Sequence, residues 1–361
     1  MSLYKKSDGL RYDLQQRWYG ADEASPIYCD DRKEFPESKT MLLEQYHVFE
    51  AKMDEKWHPN VVLGAAVTGD GLLTDHGVAH VRSVIAHAKD ILVDPHFLNG
   101  YEIYLLLMSI HFHDLGNISG REEHEQKIAE LIEKMGEDLP VDNPEKEIVS
   151  AIATAHGGFC GEDKDTIRNI SLDTVYAGVH YRPKALAAIL RFADEISDDF
   201  NRAEFNGVIV PHQNEVFHEY SKALEPISII GETIKFHFRI PYELTQRKVG
   251  KGSGEVYLYD EVLARMAKCM RELEYCRKFA DGAIKPTTAD IIIDFLQPGS
   301  SFRRKDRDSF RLTLHGYPDA DHSTLADYFD KASRLGETAP QKELKFKDGN
   351  AVQIAMRGGE E

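Results

Sequence analysis

The dipeptide His113-Asp114 closes the run YEIYLLLMSIHFHDLGN, in which most neighbours are apolar. An imidazole and a carboxylate at the end of such a segment are costly to bury alone, and both are good ligands for divalent first-row ions. Four other residues repeat this pattern of a polar group on an apolar helical face. His80 shares its face with Val84 and Ala88, and His124 with Ile128, Leu131 and Ile132. His156 follows Ile148 and Ile152, and Asp194 follows Leu186 and Leu190, each at helical spacing. His80, His113, Asp114, His124, His156 and Asp194 therefore point from five helices to one interior. A shared metal site offsets all these burial costs together. An aspartate late in a helix, like Asp194, is disfavoured by the helix dipole, which makes structural coincidence less comfortable.

The helices that must present these groups can be read from apolar spacing. Asp75 is suited to cap a first helix that begins near His76 and carries Val81, Val84, Ile85 and Ala88 on one side. A second, 101–114, is apolar nearly all round and should lie at the centre of a bundle. A third covers about 121–136. A fourth covers about 143–156, with Asn143 as cap and Pro144 in the first turn. A fifth runs from Pro183 to Asp198, where Asp198 and Arg202 would pair to close its end. After residue 203 the pattern shortens: GVIVPH, ISIIGE, TIKFHFRIPYEL, ADIIIDFLQ and SFRLTLHG read as strands, with one long amphipathic helix in YDEVLARMAKCMRELEYCRKFADG. The expected architecture is mainly α: a helical bundle over 61–202, preceded by a helical arm at 1–60 and followed by an α+β domain over 203–361.

Bulk composition narrows the function classes. With 42% hydrophobic and 29% charged residues over 361 positions the chain should be a soluble protein of two domains or so. No apolar run reaches the roughly 20 residues of a membrane span. The start MSLYKKSDGLRYDL lacks a secretory apolar stretch, and the four cysteines show no CxxC spacing, so reduced thiols in a cytoplasm are expected. A net charge of −17 opposes non-specific duplex binding. A small phosphorylated ligand is still allowed, because divalent cations reverse the local potential. The loops QRKVGKGSG and SFRRKDRDSF stand out as basic islands in this acidic chain.

The ordered set His80, His113-Asp114 and Asp194, in the contexts HVRSVIAHA, HFHDLGN and LRFADEISD, resembles the HD superfamily of metal-dependent phosphohydrolases over about residues 70–202. His124 and His156, lying between the HD pair and the late aspartate, resemble the extra ligands of its dinuclear subgroup. The resemblance implies two divalent transition ions (iron, manganese, cobalt, nickel or zinc) bridged by Asp114, with hydroxide held between them as nucleophile. His76 and His80, at i and i+4, compete for the first ligand position. The apolar sequence after His80 fits the family's helix better, which leaves His76 beside the substrate to protonate a leaving oxygen. Arg82, Arg121, Lys184 and Arg191 lie near ligands in sequence and suit phosphoryl oxygens.

The function these features imply is hydrolysis of a nucleotide or a short, cyclic or linear oligonucleotide. The alternatives are a mixed-valent di-iron oxygenase with the same ligands and a non-catalytic, metal-stabilised binding module. The expected partner is a small phosphorylated substrate, with neither membrane nor non-specific duplex; self-association is open.

Overall fold

The computed structural model describes residues 3–19, 34–61, 74, 76–94, 96–120, 123–136, 139–160, 162–198, 210–314, 325–329 and 344–357. The chain is mainly α with a C-terminal α+β part. It divides into two units, the first comprising 1–70, 76–197 and 276–284, the second 71–75, 198–275 and 285–361.

The first unit is built on helices α1 (Leu10–Tyr19), α2 (Leu42–Lys52), α3 (Val78–Asp90), α4 (Gly100–Phe112), α5 (Ile128–Met135) and α6 (Asn143–Thr154). A two-stranded hairpin, β1 (Thr174–Tyr176) and β2 (Val179–Tyr181), precedes α7 (Pro183–Glu195). Every residue of α4 is buried, and α1, α3, α6 and α7 all pack against it, as its all-round apolar sequence requires. Its start is set by a capping box in which Asn99 accepts from the Glu102 amide and Glu102 accepts from the Asn99 amide.

Several helix ends differ from the sequence reading. The cap of α6 is Asp142, in a capping box with Glu145, which moves Asn143 inside the helix. Helix α3 is capped by Gly77 and starts at Val78; Asp75 lies outside the described residues. Helix α4 stops at Phe112 and α6 at Thr154, so His113-Asp114 and His156 sit just past helix ends. His124 lies in a short 3-10 turn, His124–Lys127, that leads into α5. Asp198 bonds Ser221 and Arg265, and the expected partner Arg202 lies outside the described residues.

The second unit holds α8 (Glu215–Ala223), β3 (Ser228–Ile230), β4 (Thr233–Ile240), α9 (Tyr242–Thr245), the hairpin β5 (Val249–Lys251) and β6 (Gly254–Val256), and most of α10 (Leu258–Phe279), whose residues beyond 275 belong to the first unit. Strands β7 (Thr288–Leu296) and β8 (Arg304–Thr313) and helix α11 (Gly349–Arg357) complete it. Four strands form one sheet in the order β3-β4-β7-β8, with β4 and β7 parallel and the outer pairs antiparallel. Alternation puts Ile234, Phe236, Phe238, Ile240, Ile291, Ile293, Phe295, Phe310 and Leu312 on its buried face. GVIVPH is not a strand in its described part. Pro211, which lacks a ladder donor, leads into a 3-10 turn at His212–Asn214. Among the described residues no helix is long and apolar enough to cross a membrane.

Candidate metal centre

The ends of four helices and one 3-10 turn, separated in sequence, deliver their polar groups to one place. His80 comes from the first turn of α3, His113 and Asp114 from the end of α4, His124 from the 3-10 turn before α5. His156 follows the end of α6, and Asp194 lies in the last turn of α7. The groups fall into two sets, His80/His113/Asp114/Asp194 and Asp114/His124/His156, with Asp114 common to both. All but Asp194 are buried.

The two carboxylate oxygens of Asp114 are divided between the sets. Oδ2 lies 3.4 Å from His80 Nε2 and 3.2 Å from His113 Nε2. Oδ1 lies 3.3 Å from His124 Nε2 and 3.8 Å from His156 Nε2. Asp194 Oδ1 completes the first set at 3.1 Å from His80 Nε2 and 3.5 Å from His113 Nε2. The two ring nitrogens of His80 and His113 approach to 3.2 Å. Ligands held about 2.1 Å from one ion at tetrahedral or octahedral angles stand about 3.0–3.4 Å apart. The first set's separations of 3.1–3.5 Å are close to that spacing, so its donors could take a single cation.

The surrounding hydrogen bonds prepare the same nitrogens. His113 Nδ1 donates to the Ile110 carbonyl at 2.7 Å, and His156 Nδ1 to the Ala153 carbonyl at 2.6 Å. Each bond leaves Nε2 facing the site, the usual way a ligand tautomer is held. Glu125 Oε2 faces His124 Nδ1 at 3.3 Å in the same role. Asn117 Nδ2 donates to Asp114 Oδ1 at 3.0 Å and fixes the bridging carboxylate. Neither Asn117 nor Glu125 was singled out from sequence. Their signal was proximity alone, Asn117 one turn beyond Asp114 and Glu125 next to His124.

Gly116 of the HDLGN segment has a geometric reason. A Cβ there would lie 1.8 Å from the His124 carbonyl oxygen, so the 115–119 turn can touch the His124 backbone only without a side chain. Gly116→Ala should push His124 from the second set while sparing the first. Metal titration should then show affinity at the second set falling by about 10–100-fold or more, with the first set unchanged.

Electrostatics in the ion-free cluster follow from burial and mutual contact. Burial opposes ionisation of Asp114 and Asp194, yet the neighbouring histidines outweigh it and hold both carboxyls well below the usual range. Burial likewise opposes charge on His113, but Asp114 and Asp194 raise it well above an ordinary histidine. Burial, aided by His113, pushes His156 down to about 4. At neutral pH the cluster thus keeps a proton on His113, which a cation must expel to gain that nitrogen. Calorimetric titration at pH 7 in buffers of different ionisation enthalpy should report net proton release. Affinity should weaken as pH falls, and a pH-independent affinity between 6 and 8 would contradict this account.

The remaining predicted residues are placed as follows. His76, on the segment before α3, donates Nδ1 to Asp114 Oδ2 at 2.7 Å. Arg82 is exposed and pairs with Asp54 at 2.8 Å. Lys184 donates to the Arg168 carbonyl at 2.9 Å. Arg191 is buried and ties down the segment after His156, donating to the Lys164 carbonyl and to Thr166 Oγ1 at 3.0 and 2.9 Å. Arg121 lies outside the described residues. Beside the site, His111 is buried between Tyr46 and His58, bonded to them at 3.2 and 3.1 Å.

The buried His/Asp cluster could hold metal ions. The family model HD-CE, an HD-type family, matches residues 70–248. The match includes all six clustered residues and runs beyond residue 202, where the sequence resemblance had ended. Comparison with curated proteins and with solved structures gave no significant match.

Proposed function

We propose that this protein is a dinuclear metal-dependent phosphohydrolase acting on a nucleotide or a short, cyclic or linear oligonucleotide. The observation that carries the reading is the division of Asp114, one oxygen to each donor set, which is what a carboxylate shared by two ions requires. Bound there, divalent ions would supply Lewis acidity towards phosphoryl oxygens and lower the pKa of water.

The chain's own residues set the rest. Asp114 and Asp194, kept ionised, provide the charge that retains cations in a buried place. His76 donates Nδ1 to Asp114 Oδ2 and so orients the shared carboxylate; in this reading its other ring nitrogen, Nε2, carries the proton given to a leaving oxygen. Arg191 positions the segment following His156 by its two bonds to 164–166.

The test is elemental analysis of gently purified protein, followed by assay of the metal-loaded enzyme on phosphomonoesters, dinucleotides and nucleoside triphosphates. Metal-dependent release of phosphate or nucleotide from one of these classes is expected. Release from none would defeat the proposal. Oxygen consumption by an iron-loaded sample without such release would move the protein to the di-iron oxygenase class.

A further inference from the structure

The second unit carries a patch of opposite sign to the chain as a whole. Alternate residues of the sheet's other face line up across strands: Lys235, Asp290 and Arg311 in one row, His237, Ile292 and Ser309 in the next, Arg239, Asp294 and Arg307 in the third. Arg304 joins the third row through Asp294 at 3.7 Å, and Glu225 reaches His237 and Arg239 from beside the strands. Lys235, Arg239, Arg304, Arg307 and Arg311 thus outnumber Asp290, Asp294 and Glu225 in a protein of net charge −17. Lys235, Arg304, Arg307 and Arg311 are exposed. Bidentate bonds from Arg307 to Asp294 and from Arg311 to Asp290 hold these guanidinium groups along the sheet. In the other basic island, 246–254, Arg247 pairs with Glu215 and Lys251 with Glu261.

At the Arg239 end the face meets a cavity of about 570 Å³ lined by Lys222, Glu225, Arg239, Glu243, Ser300 and Ser301, with Leu224, Pro241 and Leu296 as apolar wall. Its charged lining is balanced, so it favours a neutral polar ring over a phosphate. The Nε of Arg239 is buried and has no hydrogen-bond partner among the described residues. Beside it Phe302, 77% exposed, has its ring centroid 5.7 Å from the Arg239 guanidinium carbon.

We infer that this face binds a single-stranded oligonucleotide, its phosphates along the basic rows and a terminal base in the cavity against Phe302. Cations that track a backbone beside an aromatic stacking surface are the recurring means of holding single strands. An acidic peptide would match the rows but would leave the cavity and the exposed ring without a role. The inference deepens the proposed function by naming a polymeric substrate, and rests on that reading only for the later fate of the strand.

The test uses the full chain and a fluorescent phosphorothioate oligothymidylate of about 12 nucleotides, within the usual site size, followed by anisotropy across salt concentrations. The double variant K235E/R311E alters an exposed row. It should weaken binding by about tenfold or more and lower the magnitude of the salt slope by about 1.4. Phe302→Ala should weaken it by about tenfold with the slope unchanged. Both variants should release nitrophenol from bis(p-nitrophenyl) phosphate at the wild-type rate, because that ester is too small to need the face. Wild-type protein that fails to bind at low salt, or variants that bind normally, would overturn the inference. So would polyglutamate competing as well as the oligonucleotide, or a change in sedimentation showing that the face joins two copies. Binding with no metal-dependent release from bis(p-nitrophenyl) phosphate or from any phosphomonoester, dinucleotide or nucleoside triphosphate would defeat the enzymatic reading and leave this one standing.

Discussion

Asp114→Ala should empty both donor sets at once. Asp114 is the one residue shared by the two groups, its oxygens 3.2–3.4 Å from the first set's histidines and 3.3–3.8 Å from the second's. His156→Ala removes a ligand from the second set alone and should leave the first ion in place. On the proposed reading a bound divalent ion would supply several kcal/mol of transition-state stabilisation, and each 1.36 kcal/mol is tenfold in rate. Asp114→Ala should therefore cut phosphohydrolysis by about 10³-fold or more, through kcat. Metal analysis decides the matter: retention of both ions in Asp114→Ala would refute the bridging role. Circular dichroism distinguishes loss of metal from loss of fold.

The largest effect on stability is expected from a pair remote from this chemistry. Glu102, fully buried at the start of α4, accepts from Arg182 Nε at 2.8 Å, from Arg182 Nη2 at 2.7 Å and from the Arg182 amide at 3.0 Å. Arg182 also donates to the Phe97 carbonyl and lies over the Phe97 ring with 4.4 Å to its centroid. Arg182→Ala leaves the buried Glu102 carboxylate with the Asn99 and residue-182 amides but without its countercharge, a defect that costs about 3–5 kcal/mol and should lower Tm on the order of 10 °C. The exposed pair Arg168–Asp163 is the control, and Arg168→Ala should leave Tm nearly unchanged. Equal shifts for the two variants would show that burial of Glu102 is not what matters.

How much of this was legible differs from element to element. The apolar residues four and eight places from His80 and Asp194 mark a buried face, and the structure brings the six polar groups to one interior. Most helix ends were misread by one to three residues because caps compete locally, and the helix expected over about 121–136 begins only at Ile128, with His124–Lys127 forming a 3-10 turn before it. Asn143 and Asp142 are both good caps, and only the reciprocal bond with Glu145 selects Asp142. Arg82 and Lys184 lie near ligands in sequence, but their long side chains reach Asp54 and the Arg168 carbonyl. Strand β8 begins at Arg304, five residues before the predicted SFRLTLHG, because a run of charges reads as loop until one face of the sheet is known to be open.

By itself, the sequence determined which six His and Asp residues lie on or beside apolar helical faces, and their order, since both follow from period and residue type within a few turns of chain. Tertiary structure alone decided how Asp114 divides its oxygens and that Gly116 must be bare against His124. It also decided that Glu102 meets Arg182 and that Lys235, Asp290 and Arg311 form one row. Those facts depend on pairing between segments far apart in the chain, where packing sets the partner and local pattern carries no record of it.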